Sequence, residues 1–408
     1  MRVLLVDDDP LVLSALNRTV LSRRPEWEVV LAKSGEMAVG WLTQTPFDMV
    51  MTDMQMPGMD GSTVLKMSQK LQPGAIRMVL SEHAPLVRIL EAEGHYHRFI
   101  MKPIEPNQLM AILSSLSPEG LDEECLMARS LVAGLERVPS LRRCVDQLKA
   151  LLEQPDPDLV EVCRVVAQDL GIATSILKLV NSAYLSVGHF IAGINEAVEY
   201  LGLTVLRELV LNRGIMVVAT DAAPAGLSLE GLWGHSHQVA LTASEWIRSA
   251  TGDQTLAAQA FSVGLLHDVG KLVLAINPAC NYRAVIEHGH IGNQSLQDLE
   301  RQWLGTDHGK VGAQLLHLWA LPESFSAVVK EQDGNGPADC TSLISLAVHC
   351  AHLLPGTHPS PDLFHDGSHP RFLRAATVET ATSHWVQQLS SWRQTFLAVD
   401  AAEIASLP

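Results

Sequence analysis

Through residues 1–117, short unbroken apolar runs alternate with segments whose apolar residues recur every three or four positions. The pairs are Val3–Val6 then Leu11–Leu21, Val29–Leu31 then Met37–Leu42, Phe47–Thr52 then Val64–Leu71, Met78–Leu80 then Leu86–Leu90, and Phe99–Met101 then Leu109–Leu113. The first kind of segment reads as strand and the second as helix. Because the strands lack polar alternation, both of their faces are buried, which predicts an α/β doubly wound parallel sheet of five strands with helices on each side. Beyond residue 140 the strand signals fade. Leu159, Val162, Val165, Val166 and Leu170 keep helical spacing, so an all-α region follows. Between the two, Ser115–Ser140 holds Pro118, Gly120, acids at Asp122–Glu124 and Pro139, the pattern of a connector with a helical middle. Pro355–Pro370, rich in Pro, Gly, His and Asp, reads as a loop before the last helical segments. The resulting division is 1–117, a partly helical linker 118–139, a helical region 140–353, and a loop with a helical extension 354–408.

The 408 residues suit two or three domains. At 47% hydrophobic and 18% charged they can offset their chain entropy by burial. Net charge is −16, unevenly spread: residues 1–117 carry 11 basic and 13 acidic residues, the remainder 18 and 32. An acidic chain without a basic stripe argues against direct nucleic-acid binding, and no recognition helix with clustered Arg or Lys supports a transcription factor. The six cysteines form no Cys-x-x-Cys pair, as expected of packed thiols in a reducing compartment. The apolar start is cut off by Asp7, Asp8 and Asp9, and no run approaches a membrane span, so a cytoplasmic location without membrane insertion is expected.

The polar residues of the first region fall where an open parallel sheet binds ligands, outside the carboxyl ends of its strands. Asp7 and Asp8 end the first strand, Asp53 the third, Ser81 the fourth and Lys102 the fifth. Three converging carboxylates repel one another unless a cation joins them, and oxygen donors suit Mg2+. Asp53 then becomes a plausible nucleophile toward a phosphoryl donor. Capping of helices by strand-end acids would explain one or two of these residues, not five in register.

Val6-Asp7-Asp8-Asp9, Asp53-Met54-Gln55-Met56-Pro57-Gly58-Met59-Asp60-Gly61, Leu80-Ser81 and Lys102-Pro103 resemble the signature of response-regulator receiver domains, a flavodoxin-like fold. The resemblance implies that Asp53 is the phosphoacceptor, that Asp7, Asp8, Asp53 and the backbone carbonyl of Gln55 hold Mg2+, and that Lys102 pairs with the phosphoryl group. It also makes Ser81 and Phe99 the switch pair and a sensor histidine kinase the donor. Glu82 stands where the family usually has a small residue, which predicts a longer-lived phosphoryl group than with Ala there.

A second set of motifs resembles the HDOD domain, an all-α relative of the HD phosphohydrolases. It comprises Asn181-Ser182-Ala183-Tyr184, Ala197-Val198-Glu199-Tyr200-Leu201-Gly202, Leu232-Trp233-Gly234-His235, Gly264-Leu265-Leu266-His267-Asp268-Val269-Gly270-Lys271, Asp307-His308-Gly309-Lys310-Val311-Gly312 and Trp319-Ala320-Leu321-Pro322-Glu323. HD enzymes hold metal through a His, a His-Asp pair and a distant Asp. His235, His267 and Asp268 are kept, but His352 stands where the distant Asp should be, so a transition metal is neither required nor excluded. Glu331-Gln332 replaces a frequent His pair and Gly334-Asn335-Gly336-Pro337 lacks the HD-GYP tyrosine, which speaks against cyclic-di-GMP hydrolysis. The reading preferred for His267, Asp268 and Lys271 is a buried polar network that fixes helix packing.

His237, two residues from His235, cannot face the same ligand on a helix. Trp233, Trp303 and Trp319 read as core anchors, and His358, His365 and His369 as surface histidines. The sequence thus predicts a response regulator whose phosphorylation controls a non-catalytic, protein-binding HDOD output toward downstream signalling proteins, with a homodimer through the receiver left open. The rival is a phosphorylation-gated, metal-dependent phosphohydrolase acting on a nucleotide or cyclic dinucleotide.

Overall fold

A computed structural model describes residues 1–81, 92, 94–135, 137–181, 191–212, 218, 227–289, 294–331 and 342–352. Strands β1 (Arg2–Val6), β2 (Glu28–Ala32), β3 (Met49–Thr52), β4 (Ile76–Ser81) and β5 (Arg98–Met101) form one parallel sheet in the order β2-β1-β3-β4-β5. Helices α1 (Pro10–Arg23), α2 (Gly35–Gln44), α3 (Gly61–Leu71) and α4 (Pro106–Ser115) pack on it. Each apolar run is a strand, and the doubly wound sheet stands as expected. The predicted helix Leu86–Leu90, Glu82 and everything from residue 353 onward, His358, His365 and His369 included, lie outside the described residues.

The strand side chains divide by alternation. Leu4, Val6 and Val50 join Ala38, Leu42 and Val64 in one core on the α2/α3 side of the sheet. Val3, Leu5, Met49, Met51, Ile76 and Met78 join a second core on the other side, and it continues without a break into the helical region. The acidic run splits three ways. Asp7 is buried, Asp8 is exposed, and Asp9 caps α1 by accepting from the Leu11 N–H at 2.7 Å. Gly61, at the start of α3, lies so close to Asp53 that a Cβ would sit 2.0 Å from the Asp53 carbonyl oxygen.

The connector supplies α5 (Glu123–Ala133). The helical region follows as α6 (Arg142–Leu152), α7 (Leu159–Ala167), α8 (Leu170–Val180), α9 (Ile194–Arg207) and a π-helical turn (Glu208–Asn212). Then come α10 (Leu229–Thr251), α11 (Gln254–Leu266), α12 (Val269–Ile276), α13 (Tyr282–Gly289), α14 (Leu296–Leu304), α15 (His308–Leu318), α16 (Glu323–Glu331) and α17 (Leu343–His352). Leu170 does not continue α7 as its spacing suggests. Asp169 breaks the helix there and caps α8, one carboxylate oxygen accepting from the Ile172 N–H at 2.8 Å and the other from the Leu141 N–H at 2.7 Å. Gly270 is where α12 touches α15: a Cβ would fall 1.8 Å from the His308 carbonyl oxygen.

Two sequence expectations change in detail. Trp233 and Trp319 are buried anchors, but Trp303 is 46% exposed and lies against the His288 ring instead. Among the described residues one apolar helical stretch, Gln254–Ile276, is long enough to cross a membrane, yet 83% of its apolar 18-residue window is buried inside the fold, the position of a core helix. Cys125, Cys144, Cys163 and Cys280 are free and buried.

Candidate functional site

The carboxyl ends of β1, β3 and β5 bring Asp7, Asp53 and Lys102 into one cleft. The Lys102 ammonium donates to Asp7 Oδ2 at 2.6 Å and to Asp53 Oδ1 at 2.8 Å. The remaining oxygens are held by the backbone: the Asp9 N–H donates to Asp7 Oδ1 at 2.9 Å and the Gln55 N–H to Asp53 Oδ2 at 2.6 Å. Burial pushes the Asp53 carboxyl up, and Asp7 adds to this, against the opposing pull of Lys102 and the Gln55 N–H. Burial would lower Lys102, but its bonds and charge contacts with Asp53 and Asp7 outweigh that and hold its ammonium above the ordinary range. Ser81 is buried at the end of β4, and Phe99 is buried in β5 with its ring edge-on to Tyr96, centroids 6.2 Å apart.

In the cleft the carboxylates of Asp7 and Asp53 share one ammonium, and the exposed Asp8 follows Asp7 in the chain. The donor set is oxygen only, with the carbonyl of Gln55 in the loop that follows Asp53. Such a set fits a hard divalent cation, because it leaves charge uncompensated and offers no soft ligand.

A second cluster lies in the helical region. His235 from α10, His267 and Asp268 at the α11–α12 junction, and His352 at the end of α17 converge with ligand atoms within 4.8 Å of one another. All are 0–7% exposed. Lys271 donates to Asp268 Oδ2 at 2.9 Å. Burial would raise the Asp268 carboxyl, but the His267 ring, the Lys271 ammonium and the His235 and His352 rings facing it hold it well below the usual carboxylate range. The four residues named from the sequence therefore do meet, and His237 does not join them: it lies edge-on to Phe261.

Between the two sites runs a seam that the motifs do not reveal. Arg98 of β5 donates to the carbonyl oxygens of His317 at 2.5 Å and Leu318 at 3.4 Å, placing a cation on the C-terminus of α15. Burial pushes its guanidinium down to about 10. Lys178 of α8 donates to the Tyr96 carbonyl at 3.1 Å, with the Tyr96 and Trp319 ring centroids at 4.9 and 5.0 Å. The His317 ring donates from Nε2 to the Ser115 carbonyl at 3.0 Å, and Lys310 pairs with Glu124. Arg77, fully buried in β4, donates to the carbonyls of His95 at 2.7 Å and Ala133 at 2.9 Å, the latter at the end of α5. One available signal was Lys178 itself, the single charged residue in α8.

Comparison with known proteins agrees with this two-part division. The profile of the response regulator receiver domain matches residues 3–114, and that of the HDOD domain matches residues 138–334. The chain joins a receiver domain to an HDOD domain. Among curated relatives, an uncharacterized protein of Treponema pallidum (strain Nichols) is 28% identical over 199 residues, 48% of this chain and 38% of the relative. The transcriptional regulatory protein GlrR of Escherichia coli (strain K12) is 32% identical over 158 residues, 38% of this chain and 34% of GlrR. The matched stretch thus spans little more than a third of these relatives' length. Among solved structures, the MmoQ response regulator of Methylococcus capsulatus str. Bath is 21% identical, with 53% of this chain and 85% of that chain covered and a TM-score of 0.46. An HDOD domain protein of Geobacter sulfurreducens is 23% identical, with 69% and 95% covered and a TM-score of 0.35.

Proposed function

We propose that the chain is the response regulator of a two-component phosphorelay. A sensor histidine kinase phosphorylates Asp53 in a receiver of residues 1–117, and a linker of 118–139 joins it to an HDOD output of residues 140–353. That output acts by binding downstream signalling proteins, in the cytoplasm, without catalysis of its own. The observation that carries the reading is the cleft in which Lys102 bridges Asp7 and Asp53 at the strand ends. In the transfer, an Asp53 carboxylate oxygen attacks phosphorus, the phosphorus–nitrogen bond of the donor phosphohistidine breaks, and the imidazole leaves with a proton. Mg2+, when bound, supplies charge neutralisation at the phosphoryl oxygens. Asp7, Asp8, Asp53 and the Gln55 carbonyl are the groups that would hold it.

The new phosphoryl oxygens compete for the Lys102 ammonium and for the Ser81 hydroxyl, drawing on the ends of β4 and β5. Phe99 responds in β5, flanked by Arg98 and close to Tyr96, two residues that the HDOD domain grips through α15 and Lys178. A difference of about 1–3 kcal/mol in those contacts between the two phosphorylation states suffices for regulation. The phosphohydrolase alternative is less well supported, because His352 stands in the cluster where an HD site has its distant acid.

The test is direct. With Mg2+ and acetyl phosphate, the wild type should gain one hydroxylamine-labile phosphoryl group and Asp53→Ala none; a wild type that never gains it refutes the reading. Pull-downs under the same conditions should recover different partner amounts with the two proteins.

A further inference from the structure

The buried cluster of the HDOD domain has a geometry that a hydrogen-bonded packing network does not explain. His235 Nε2, His267 Nε2 and His352 Nδ1 form a nearly equilateral triangle with sides of 3.1, 3.0 and 3.1 Å. The three rings are arranged as a propeller about that triangle, with centroids 5.0, 5.0 and 5.1 Å apart and planes inclined at 62°, 72° and 74°. An sp2 ring nitrogen projects one function toward its neighbours, either an N–H or a lone pair. With three nitrogens and two kinds of function, two must be alike, so at least one edge of the triangle sets donor against donor or acceptor against acceptor. Adding or removing a proton moves the mismatch to another edge and never removes it.

One nitrogen is already assigned by its surroundings. His267 Nδ1 lies 2.7 Å from the Gly264 carbonyl oxygen, which can only accept, so Nδ1 carries the proton and the neutral ring turns the Nε2 lone pair into the cluster. Anchoring of the outer nitrogen on a carbonyl is what fixes the tautomer of a metal-ligating imidazole. A cation at the centre lets all three nitrogens present lone pairs at once. We propose that His235, His267, His352 and Asp268 bind one transition-metal ion, with zinc the best match to the donor set.

The distances suit it. A centre about 2.0–2.1 Å from each nitrogen, the usual Zn–N length, stands about 1 Å off the plane of such a triangle. A regular tetrahedron of that bond length has edges of about 3.3–3.4 Å. Asp268 Oδ2 stands 3.5 Å from both His235 Nε2 and His267 Nε2, placed to supply the fourth donor, and also accepts from the Lys271 ammonium at 2.9 Å. Three imidazoles and one carboxylate favour Zn2+ or a neighbouring divalent metal over Mg2+ or Ca2+. The four donors come from α10, the α11–α12 junction and α17, so the ion would tie three parts of the domain together. With every vertex occupied by protein, the site is structural in type. This proposal stands independently of phosphorylation at Asp53.

The experiment uses full-length, tag-free protein stripped with a chelator and shown by circular dichroism to keep its helices. Titration with Co2+ should give one equivalent with the visible absorption of a tetrahedral nitrogen–oxygen site, displaced by Zn2+. His352→Ala should weaken binding by on the order of 100-fold or more. His237→Ala, two residues from His235 on the same helix, should leave it unchanged. Folded wild type that takes up neither Co2+ nor Zn2+ in the micromolar range overturns the proposal, as does equal affinity in His352→Ala. The wild-type titration decides the matter even where a variant fails to fold.

Discussion

Lys178→Met is the sharpest probe of how the two domains are coupled. The Lys178 side chain is 4% exposed, donates to the Tyr96 carbonyl at 3.1 Å, and lies about equally far from the Tyr96 and Trp319 rings. A hydrogen bond from a charged donor contributes about 1.5–3 kcal/mol and a desolvated cation–π contact up to about 2 kcal/mol. Against these stands a desolvation cost of several kcal/mol for the buried ammonium, which methionine does not incur. Methionine keeps the stem volume but leaves the Tyr96 carbonyl without that donor, so the net expected loss is about 1–2 kcal/mol, read in denaturant unfolding. By linkage, whatever part of that contact favours the unphosphorylated arrangement must also oppose phosphorylation. A loss of about 1.4 kcal/mol then corresponds to a roughly tenfold rise in the phosphorylated-to-unphosphorylated ratio at fixed acetyl phosphate. Intact-mass titration with acetyl phosphate measures it, with Asp53→Asn as the blank. Unchanged stability together with an unchanged phosphorylation curve would refute the claim that this seam links the domains.

The other expectations address single features. Gly270→Ala must separate α12 from α15, since its Cβ would meet backbone oxygen, and should cost about 3 kcal/mol or more in unfolding experiments. His97 accepts from the Arg77 N–H at Nδ1, and its Nε2 lies 3.0 Å from the Ala133 carbonyl. Burial, then the charges of Arg77 and Lys178, hold its pKa well below the usual value. The folded state therefore keeps it neutral while the unfolded chain protonates near 6.5. Its contribution is intact above that pH and is lost on acidification at up to about 1.4 kcal/mol per unit, a slope that His97→Gln should reduce in unfolding at pH 7.5 and 5.5. Lys102→Met leaves Asp7 and Asp53 facing each other without their shared ammonium and should abolish acetyl-phosphate labelling or reduce it by at least tenfold, measured by intact mass.

The receiver cleft is legible in the sequence because its chemistry sits at strand ends, and a strand end is marked by the abrupt close of an apolar run. Asp7, Asp53, Ser81 and Lys102 each follow such a run, and the parallel order of the sheet does the rest. Trp303 shows the converse: helical spacing cannot say whether the outer turn of a helix is covered, and here the His288 ring lies tilted against a half-exposed ring. Lys178 and Arg98 were invisible as partners because each spans a sequence separation, 82 residues to Tyr96 and 219 to His317, that no local pattern encodes.

His352 exposes a subtler limit. Compared position by position with an HD site it looks like the loss of an acid, since one-dimensional matching weighs identity and not direction. In three dimensions the substituted ring closes a triangle with two others, and the consequence of the change depends on where its Nδ1 points. An aspartate there would have completed the two-histidine, two-carboxylate donor set of an HD site. An imidazole offers a third nitrogen in place of that oxygen. The same substitution that argues against phosphoester hydrolysis is thereby the one that builds a nitrogen-rich ion site, and the two consequences share a single geometric cause.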